Sequence, residues 1–245
     1  MKRLLDISVS IIGLLVATPV LLPVMFLVWR QDGHSPFYIA DRVGYGGKLF
    51  RMIKLRSMLV NADKSGVDST SSSDQRITKV GKFIRRYKLD ELTQLWNVLL
   101  GEMSLVGPRP NVKRETDLYT IQERRLLEVK PGITDFASIV FSDEGDILKD
   151  YPDPDIAYHQ LIRPSKSKLG LFYVDNNNLF IDLEIIVLTL LAIVSRDRAL
   201  KETVKMLTKL GAAQDLCSVA SRTCVLAPSP PPGSDIIVTS RDGIV

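Results

Sequence analysis

The chain opens with a long apolar run. Residues 7–29 carry no charge and, at about 1.5 Å per residue, would reach roughly 34 Å as one helix, which is enough to cross the hydrocarbon layer of a membrane. Pro19 and Pro23 lie within the run, and each removes a backbone donor and clashes with the carbonyl four residues before it. A kink is therefore predicted at Thr18 and Pro19, where the Thr18 hydroxyl is one candidate partner for a freed carbonyl.

Basic residues flank both ends of this run, with Lys2 and Arg3 before it and Arg30 and Arg42 after it. The positive-inside rule favours the cytoplasmic side for such groups. A chain that enters the membrane, bends at the prolines and returns satisfies this rule most easily. A kinked helix that spans the membrane is the alternative, and these residues alone favour neither.

Alternating apolar and polar positions over residues 35–58 predict two short strands joined by a turn at the glycines of residues 44–47. In the second strand, the two-residue period places Lys54 and Arg56 on the same face, so two cations should point the same way. Residues 61–74 are polar and rich in serine, and they predict a loop that could act as a lid.

Helical spacing predicts a basic amphipathic helix after Thr78, for which anionic lipid headgroups are the favoured partner, and a second helix that begins near Leu89. The second helix should bury Leu89, Leu92, Leu95, Trp96 and Leu99. Further helices are predicted over residues 113–128, after Pro154 and over residues 176–198, the last lying in the core or in the membrane interface. Residues 211–245, which contain a Ser-Pro-Pro-Pro-Gly stretch, predict a loosely packed tail with one added strand at most.

These elements predict a mostly helical α+β protein in three parts: an apolar membrane segment over residues 1–32, a folded domain over residues 33–210 and the tail over residues 211–245. Of 245 residues, 45% are hydrophobic and 24% charged, as in a folded protein, and the net charge of +4 suits anionic partners. The spacing of the two cysteines, Cys217 and Cys224, does not fit a zinc site. The spacing of the two histidines, His34 and His159, does not fit a catalytic triad.

Asp90 and Glu91 lie in the first turn of the helix that begins near Leu89. Carboxylates there are stabilised by unpaired backbone amides and the helix dipole, by roughly 0.3 to 1 kcal/mol each. The same field would keep a nucleophile or a magnesium ligand ionised. Arg109, between Pro108 and Pro110, projects from a restricted backbone, and its planar donor fork suits a phosphate. Two alternatives remain: that Asp90 and Glu91 serve only to stabilise the start of the helix, and that Arg109 is an ordinary loop arginine.

Several blocks together resemble one family. They are "KLDELTQLWNVLLGEMSLVGPRP", "KLRSM", "VKPGIT" and "YVDNNNLFIDLEIIVLT", in addition to the proline-broken first segment. Between about residues 2 and 198, the chain resembles the bacterial polyprenyl-phosphate sugar-1-phosphate transferases, also called monotopic phosphoglycosyl transferases. The Asp-Glu helix followed by Gly-Pro-Arg-Pro is the most specific of these motifs.

The resemblance implies transfer of a sugar 1-phosphate from a UDP-sugar to undecaprenyl phosphate, with release of UMP, as the first step of a surface glycan. It implies that Asp90 is the nucleophile and forms a covalent phosphosugar, and that Glu91 beside it binds Mg²⁺. It also implies that Arg109, with Pro108, contacts phosphate and that Lys54 and Arg56 form a basic strand. The resemblance further implies that residues 1–32 form a re-entrant membrane segment that turns at Thr18-Pro19, and that residues 33–210 form a catalytic domain on the cytoplasmic face of the inner membrane.

One block departs from the family. Many relatives continue Pro-Gly-Ile-Thr with Gly-Trp-Ala-Gln and later Asn-Gly-Arg, whereas this chain has Asp-Phe-Ala-Ser at residues 135–138 and then "IVFSDEGD". The late arginine is absent, and Arg163 is a speculative substitute in donor binding. The departure leaves the identity of the sugar open.

Two other functional classes remain as alternatives. One is a catalytically idle membrane scaffold, against which the intact Asp90, Glu91 and Arg109 argue. The other is a membrane-tethered nucleic-acid binder that uses the basic helix, although the aromatic residues of a base-stacking surface are missing. The favoured prediction therefore includes membrane lipid, the two substrates and Mg²⁺ as partners, excludes nucleic acid and leaves a homodimer open.

Overall fold

The computed structural model describes residues 1–62, 70–71 and 73–240. Most of the serine-rich stretch that was predicted to form a lid lies outside the described residues. The first element is a long helix, α1 (Lys2–Asp32), which ends at Gly33. Gly33 has φ +73°, a left-handed conformation that suits glycine, and its amide donates to the Trp29 carbonyl at 2.7 Å.

Helix α1 is continuous, with Pro19 and Pro23 inside it. The interruption predicted at Thr18 and Pro19 is therefore not seen as a break in the helix. The Thr18 hydroxyl does bond within the helix, since it donates to the Leu14 carbonyl at 2.7 Å. One narrow face of α1 is buried along its whole length, at the positions Asp6, Ser10, Ala17, Leu21, Val24 and Val28.

The rest of α1 is apolar and exposed. Its exposed large side chains include Ile12, Leu15, Val16, Leu22 and Phe26. By length and hydropathy this helix could cross a membrane, and only 22% of its most apolar window is buried inside the protein. An apolar surface of this extent is typical of a helix in contact with lipid, and the chain is accordingly a membrane protein.

Both ends of α1 are bound to the body of the protein. At its start, Lys2 Nζ lies 2.6 Å from Asp182 Oδ2 and donates to the Val106 carbonyl at 3.0 Å. At its end, Arg56 holds Asp32 with two hydrogen bonds, of 2.6 and 2.7 Å. The body therefore contacts α1 at both termini, roughly 45 Å apart along a straight helix of this length.

The predicted hairpin is confirmed. Strands β1 (Phe37–Val43) and β2 (Leu49–Leu55) pair antiparallel in the register Ile39 to Ile53, around a short 3₁₀ turn at Tyr45–Gly47. The outer edge of β2 is closed by side chains. Asn97 accepts from the Ile53 amide at 3.0 Å and donates to the Arg51 carbonyl at 2.7 Å, and Thr93 donates to the Ile53 carbonyl at 3.1 Å.

The basic helix is α2 (Lys79–Arg86), with Thr78 as its N-cap accepting from the Gly81 amide at 2.9 Å, as predicted. The helix predicted from Leu89 is divided into α3 (Leu89–Leu92) and α4 (Leu95–Leu100). Trp96 is 50% exposed, so its predicted burial is wrong, because α4 turns Asn97 and Val98 toward the body instead.

Strands β3 (Ser104–Val106) and β4 (Gly132–Thr134) pair in parallel. The single helix predicted over residues 113–128 is wrong: the chain forms α5 (Lys113–Asp117) and a separate 3₁₀ helix at Glu123–Glu128. After β4, Asp135 caps α6 (Phe136–Val140) by accepting from the Ser138 amide at 2.7 Å, and the short α7 (Glu144–Ile147) follows.

The carboxyl-terminal half is helical. Helix α8 (Pro154–Ala157) continues through a π-helical turn at Tyr158–Ile162 into α9 (Arg163–Asn176), and α10 (Leu179–Val194), α11 (Arg196–Lys209) and α12 (Gln214–Ser221) follow. Helix α10 buries Ile185 and Leu188 in the main core and exposes Phe180, Val187, Leu190 and Ile193. The prediction that this segment packs in the core is therefore confirmed for its buried face, and the alternative of a place in the membrane interface stays a prediction for its exposed face.

The tail differs from the prediction. Within residues 211–240 the chain forms α12, whose Leu216, Cys217 and Ala220 join the main core, and Val238 is 1% exposed. No strand is formed within residues 211–240, where Ser240 lies in an isolated β-bridge, and residues 241–245, the rest of the stretch predicted to add a strand, lie outside the described residues. Apolar residues three and four apart, at positions 216, 217 and 220, explain why the segment forms a helix rather than a loose tail.

Candidate active site

An open cleft of about 690 Å³ lies where the hairpin, α2, α3 and the residues after β3 meet. Its lining includes Lys54, Asp90, Glu91 and Arg109, which are four of the predicted site residues. Residues 141–146 and Lys166 also line the cleft. The fold therefore brings Lys54 and Arg109, which are 55 positions apart in the sequence, into the same cleft.

Asp90 lies in the first turn of α3. This helix begins directly after Lys88, whose left-handed backbone conformation, with φ +52°, turns the chain into the helix. Lys54 Nζ in β2 lies 4.0 Å from Asp90 Oδ2. Thr93 connects the two elements, because its hydroxyl contacts both the Asp90 carbonyl at 3.0 Å and the Ile53 carbonyl at 3.1 Å. The edge of β2 thus fixes the distance between the carboxylate and the lysine.

Glu91 faces Arg109, whose Nη1 lies 2.8 Å from Glu91 Oε1. Burial alone would raise the pKa of Glu91, but the attraction of Arg109, Lys88 and Lys54 outweighs it and lowers this pKa to about 2. Glu91 in turn raises the pKa of Arg109, against the effect of burial. The carboxylate and the guanidinium are therefore both charged at neutral pH.

Lys54 is the most perturbed lysine in the cleft. Burial, together with the nearby charge of Arg109, lowers the pKa of Lys54 to about 8, although Asp90 and Glu91 act in the opposite direction. At neutral pH its ammonium group is still mainly protonated. A partly desolvated ammonium beside two carboxylates gains strongly from an additional anion, such as a phosphate.

The close pairing of β3 with β4 sets the position of Arg109. A Cβ atom on Gly107 would lie 2.3 Å from the Lys130 carbonyl oxygen, so only glycine fits where these two segments of the chain cross. The next residue, Pro108, accepts from the Gly132 amide at 3.0 Å, and Arg109 Nη1 donates to the Ile133 carbonyl at 3.3 Å. The arginine is therefore held from β4 on one side and by Glu91 on the other.

Three predicted site residues do not line this cleft. Arg56 lies beyond the end of β2, is 7% exposed and uses its guanidinium on Asp32, so the prediction that it points the same way as Lys54 is wrong. Arg163 is 3% exposed and binds both carboxylate oxygens of Glu123. It does not line the open cleft, so it does not replace the missing family arginine there. Pro108 and Arg163 line a separate cavity of about 50 Å³ behind Arg109.

Other residues of the cleft were missed or assigned elsewhere. The basic face of α2, which was assigned to lipid headgroups, contributes Lys82, Arg85 and Arg86 to the cleft, and Lys88 continues this basic wall. Lys166 of α9 and residues 142–146 also line the cleft. The departure from the family pattern at these last residues was the available signal, since a changed sequence block beside an otherwise intact site indicates a changed contact.

The carboxylates fit a magnesium ion of the kind that phosphate-transfer sites use. Among the described residues, no cluster of three or more acidic, histidine or cysteine ligands occurs. Mg²⁺ is usually bound by only one or two carboxylates together with substrate phosphates and water. Asp90 and the ionised Glu91 supply this set of donors, and both line the open cleft. These two residues would hold the ion.

The fold and site define a membrane protein with an anion-binding cleft centred on an Asp-Glu pair, a lysine and an arginine. The comparison with known families agrees, because residues 1–196 match the family model described as bacterial sugar transferase. The chain belongs to this bacterial sugar transferase family, the polyprenyl-phosphate sugar-1-phosphate transferases.

Three relatives illustrate the relationship. The galactosyl transferase CpsE of Streptococcus agalactiae is 38% identical over 202 residues, covering 77% of this chain and 41% of the relative. The undecaprenyl-phosphate galactose phosphotransferase of Salmonella typhimurium is 36% identical over 214 residues, covering 81% and 41%. The uncharacterized sugar transferase EpsL of Bacillus subtilis is 35% identical over 189 residues, covering 77% and 85%. The chain thus spans less than half the length of two relatives and most of the third.

Proposed function

We propose that this protein transfers a sugar 1-phosphate from a UDP-sugar to undecaprenyl phosphate, releases UMP and thereby begins the assembly of a surface glycan. The observation that carries the proposal is the position of Asp90 in the cleft, with Lys54 at 4.0 Å and the Glu91–Arg109 pair at 2.8 Å beside it. The name of the Salmonella relative, a phosphotransferase of undecaprenyl phosphate, supports the same reaction class.

In the first half-reaction, an Asp90 carboxylate oxygen attacks the β-phosphorus of the UDP-sugar. The new bond joins this oxygen to phosphorus, and the bond from phosphorus to the bridging oxygen breaks, so UMP leaves with its electron pair. In the second half-reaction, a phosphate oxygen of undecaprenyl phosphate attacks the same phosphorus and releases the carboxylate. Dividing the transfer into two displacements removes the need to bind the donor and the acceptor at once.

The charges around Asp90 suit this chemistry. Two anionic substrates approach an anionic nucleophile, so the site has to offset repulsion at each step. Lys54 and Arg109 supply two cations, and the basic wall of α2 and Lys88 adds positive charge along the approach. A magnesium ion held by Asp90 and Glu91 would, when bound, neutralise part of the charge on the phosphate oxygens.

We also propose that α1 lies in the inner membrane as a re-entrant element, with the catalytic cleft on the cytoplasmic face. The support is that the body of the protein binds both ends of α1, at Lys2 and at Asp32. A body that lies on one side of the membrane can bind both ends of α1 only if both ends are on that side, whereas a spanning helix would carry them to opposite sides. The exposed apolar face of α10 supplies a second lipid contact.

The catalytic proposal is tested with the half-reaction. Purified protein with Mg²⁺ and a panel of UDP-sugars labelled in the sugar should release UMP and retain label on the protein, and undecaprenyl phosphate should then remove the label. Asp90→Asn should abolish both signals, whereas Asp117→Asn, an exposed carboxylate in a surface ion pair, should leave them unchanged. Absence of UMP release with every donor, or full activity of Asp90→Asn, would contradict the mechanism.

The membrane proposal is tested by the accessibility of single cysteines. One cysteine is inserted after Met1 and another replaces His34, in a background that carries Cys217→Ala and Cys224→Ser. In right-side-out and inverted vesicles, a membrane-impermeant maleimide should label both positions from the same, cytoplasmic side. Labelling of the two positions from opposite sides would show that α1 spans the membrane.

A further inference from the structure

Helix α2 exposes two aromatic side chains beside the cleft. Phe83 is 49% exposed and Tyr87 is 57% exposed, and their ring centres lie 4.9 Å apart. The two residues are four positions apart, so they are neighbours on one side of the helix. Together they form a continuous apolar surface, which we call the aromatic strip.

The packing of α2 determines where this strip lies. Ile84 is completely buried in a core that it shares with the buried face of α1 between Ala17 and Val28, and Val80 packs against the same core. On the next face of α2, a Cβ atom on Gly81 would lie 1.8 Å from the Ser57 carbonyl oxygen, so the helix rests directly on the segment after β2. Protein therefore covers two adjacent faces of α2.

The other two faces of α2 are open. Lys82, Arg85 and Arg86 line the cleft. With about 3.6 residues per turn, Phe83 and Tyr87 lie between this basic face and the face that packs on α1. Arg86 marks the boundary, because it lines the cleft and its guanidinium lies 5.7 Å from the centre of the Tyr87 ring. Around this side of α2, a path from the membrane helix to the cleft therefore crosses the aromatic strip.

The surfaces along this path change from apolar to basic. Along the stretch of α1 that packs near α2, Leu22 and Phe26 are exposed. The aromatic strip follows, and beyond it lies the basic face of α2, in the same cleft as Asp90. A molecule with a hydrocarbon chain and a phosphate group matches this order, because the chain is driven onto apolar surface and the phosphate is attracted to cations.

We propose that the aromatic strip binds the isoprenoid chain of the lipid acceptor and guides its phosphate from α1 past Arg86 into the cleft. This inference rests on the proposed function. Aromatic rings offer a large apolar surface, and an arginine stacked on one of them can still bind phosphate with its planar donor fork. The strip should therefore act in the second half-reaction, because the UDP-sugar of the first has no hydrocarbon chain. Bulk bilayer lipid is the competing occupant.

The experiment measures the two half-reactions separately, with full-length protein in detergent micelles. The protein is loaded with the labelled phosphosugar, and the loss of label is followed at increasing concentrations of undecaprenyl phosphate. In the double variant Phe83→Ser, Tyr87→Ser, the half-saturating concentration of acceptor should rise about tenfold or more, because the apolar contact of two aromatic side chains is lost. The half-saturating concentration of UDP-sugar should stay close to that of the unmodified protein.

The matched control is Tyr45→Ser, at a tyrosine of the hairpin turn that is 56% exposed, almost the same as Tyr87. This variant should keep the acceptor half-saturation of the unmodified protein. The double variant Phe83→Leu, Tyr87→Leu should recover part of the lost acceptor binding, because it restores an apolar surface.

The inference is overturned if the double serine variant has the acceptor half-saturation of the unmodified protein, or if Tyr45→Ser raises it as much. An equal rise for the UDP-sugar would also overturn it, because the whole cleft would then be affected. If acceptor half-saturation is unchanged but the variant dissociates more readily from vesicles of phosphatidylethanolamine and phosphatidylglycerol, the strip contacts bulk lipid instead.

Two further results keep the test decisive. If the double serine variant does not fold, an unchanged acceptor half-saturation in both single variants, Phe83→Ser and Tyr87→Ser, overturns the inference. If the unmodified protein forms no labelled intermediate, the proposed function itself fails, which is a different result from an intermediate that discharges normally in every variant.

Discussion

Asn97 is the residue through which the stability of the fold and the geometry of the site can be tested together. It is completely buried and closes the outer edge of β2 with bonds to the Ile53 amide and the Arg51 carbonyl. It also donates to Glu102 at 2.6 Å. The perturbation is Asn97→Ala, which removes all three hydrogen bonds without adding volume.

The magnitude follows from the groups left behind. The Ile53 amide and the Arg51 carbonyl would each lose their partner behind a buried side chain, at about 1–3 kcal/mol per group, so the free energy of unfolding should fall by about 4 kcal/mol. For a chain of this size, about 2–4 °C of melting temperature corresponds to each kcal/mol, so the midpoint should fall by about 8–16 °C. Asn177→Ala, at an exposed asparagine with one local bond, is the matched control and should change the midpoint by less than about 2 °C.

The assay is thermal unfolding of detergent-solubilised protein, followed by measurement of UMP release well below the midpoint. Because Lys54 follows Ile53 directly, a loosened strand edge should also reduce activity in the fraction that remains folded. A midpoint of Asn97→Ala within about 2 °C of the unmodified protein would refute the argument that these backbone groups depend on Asn97.

Three further predictions concern the cleft. Gly107→Ala should reduce UMP release on the order of 100-fold, because the new Cβ displaces the chain that carries Arg109 and a shift of about 1 Å has this effect; a rate within twofold of the unmodified protein would contradict the close crossing with Lys130. Lys54→Met should lower the rate of intermediate formation about 100-fold or more, and Lys54→Arg should recover part of it; equal rates for the two variants would exclude a role for the charge. Chelation of divalent ions should stop UMP release and added Mg²⁺ should restore it; activity that survives exhaustive chelation would remove the metal from the mechanism.

Local signals predicted much of the fold. The alternation around the glycines of residues 44–47 gave the hairpin, and Thr78 gave the start of α2, because a turn and a cap are determined by neighbouring residues. The single helix predicted over residues 113–128 failed because Thr120 and Glu123 exchange two hydrogen bonds, which begin a new helical turn within the segment. The burial of Trp96 failed for a tertiary reason: the polar Asn97 next to it is buried to bond β2, which no helical period predicts.

The site was predictable where one motif contains it, and less so where the fold assembles it. Asp90 and Glu91 are adjacent in the sequence, and the clamp on Arg109 is visible in its two prolines. The position of Arg56 was predicted wrongly because β2 ends at Leu55. The side chain of the next residue, Arg56, therefore binds Asp32 at the end of α1 instead of lining the cleft. The attachment of Arg222 to Asp143 joins positions 79 residues apart and has no local signature.

The contacts at the start of α1 connect the membrane helix to Arg109, which we propose to contact phosphate. Asp6 accepts from the Leu105 amide at 3.0 Å and from the Ser104 hydroxyl at 3.0 and 3.1 Å, while Lys2 donates to the Val106 carbonyl. These bonds cover all of β3, and Arg109 follows three residues after its end. Since β4 holds the other side of the same strand, the height of Arg109 above the membrane is set by α1 itself. In the proposed reaction the acceptor is a lipid-linked phosphate, which can reach only a fixed distance from the bilayer, so a site built on the membrane helix would stay in register with this acceptor.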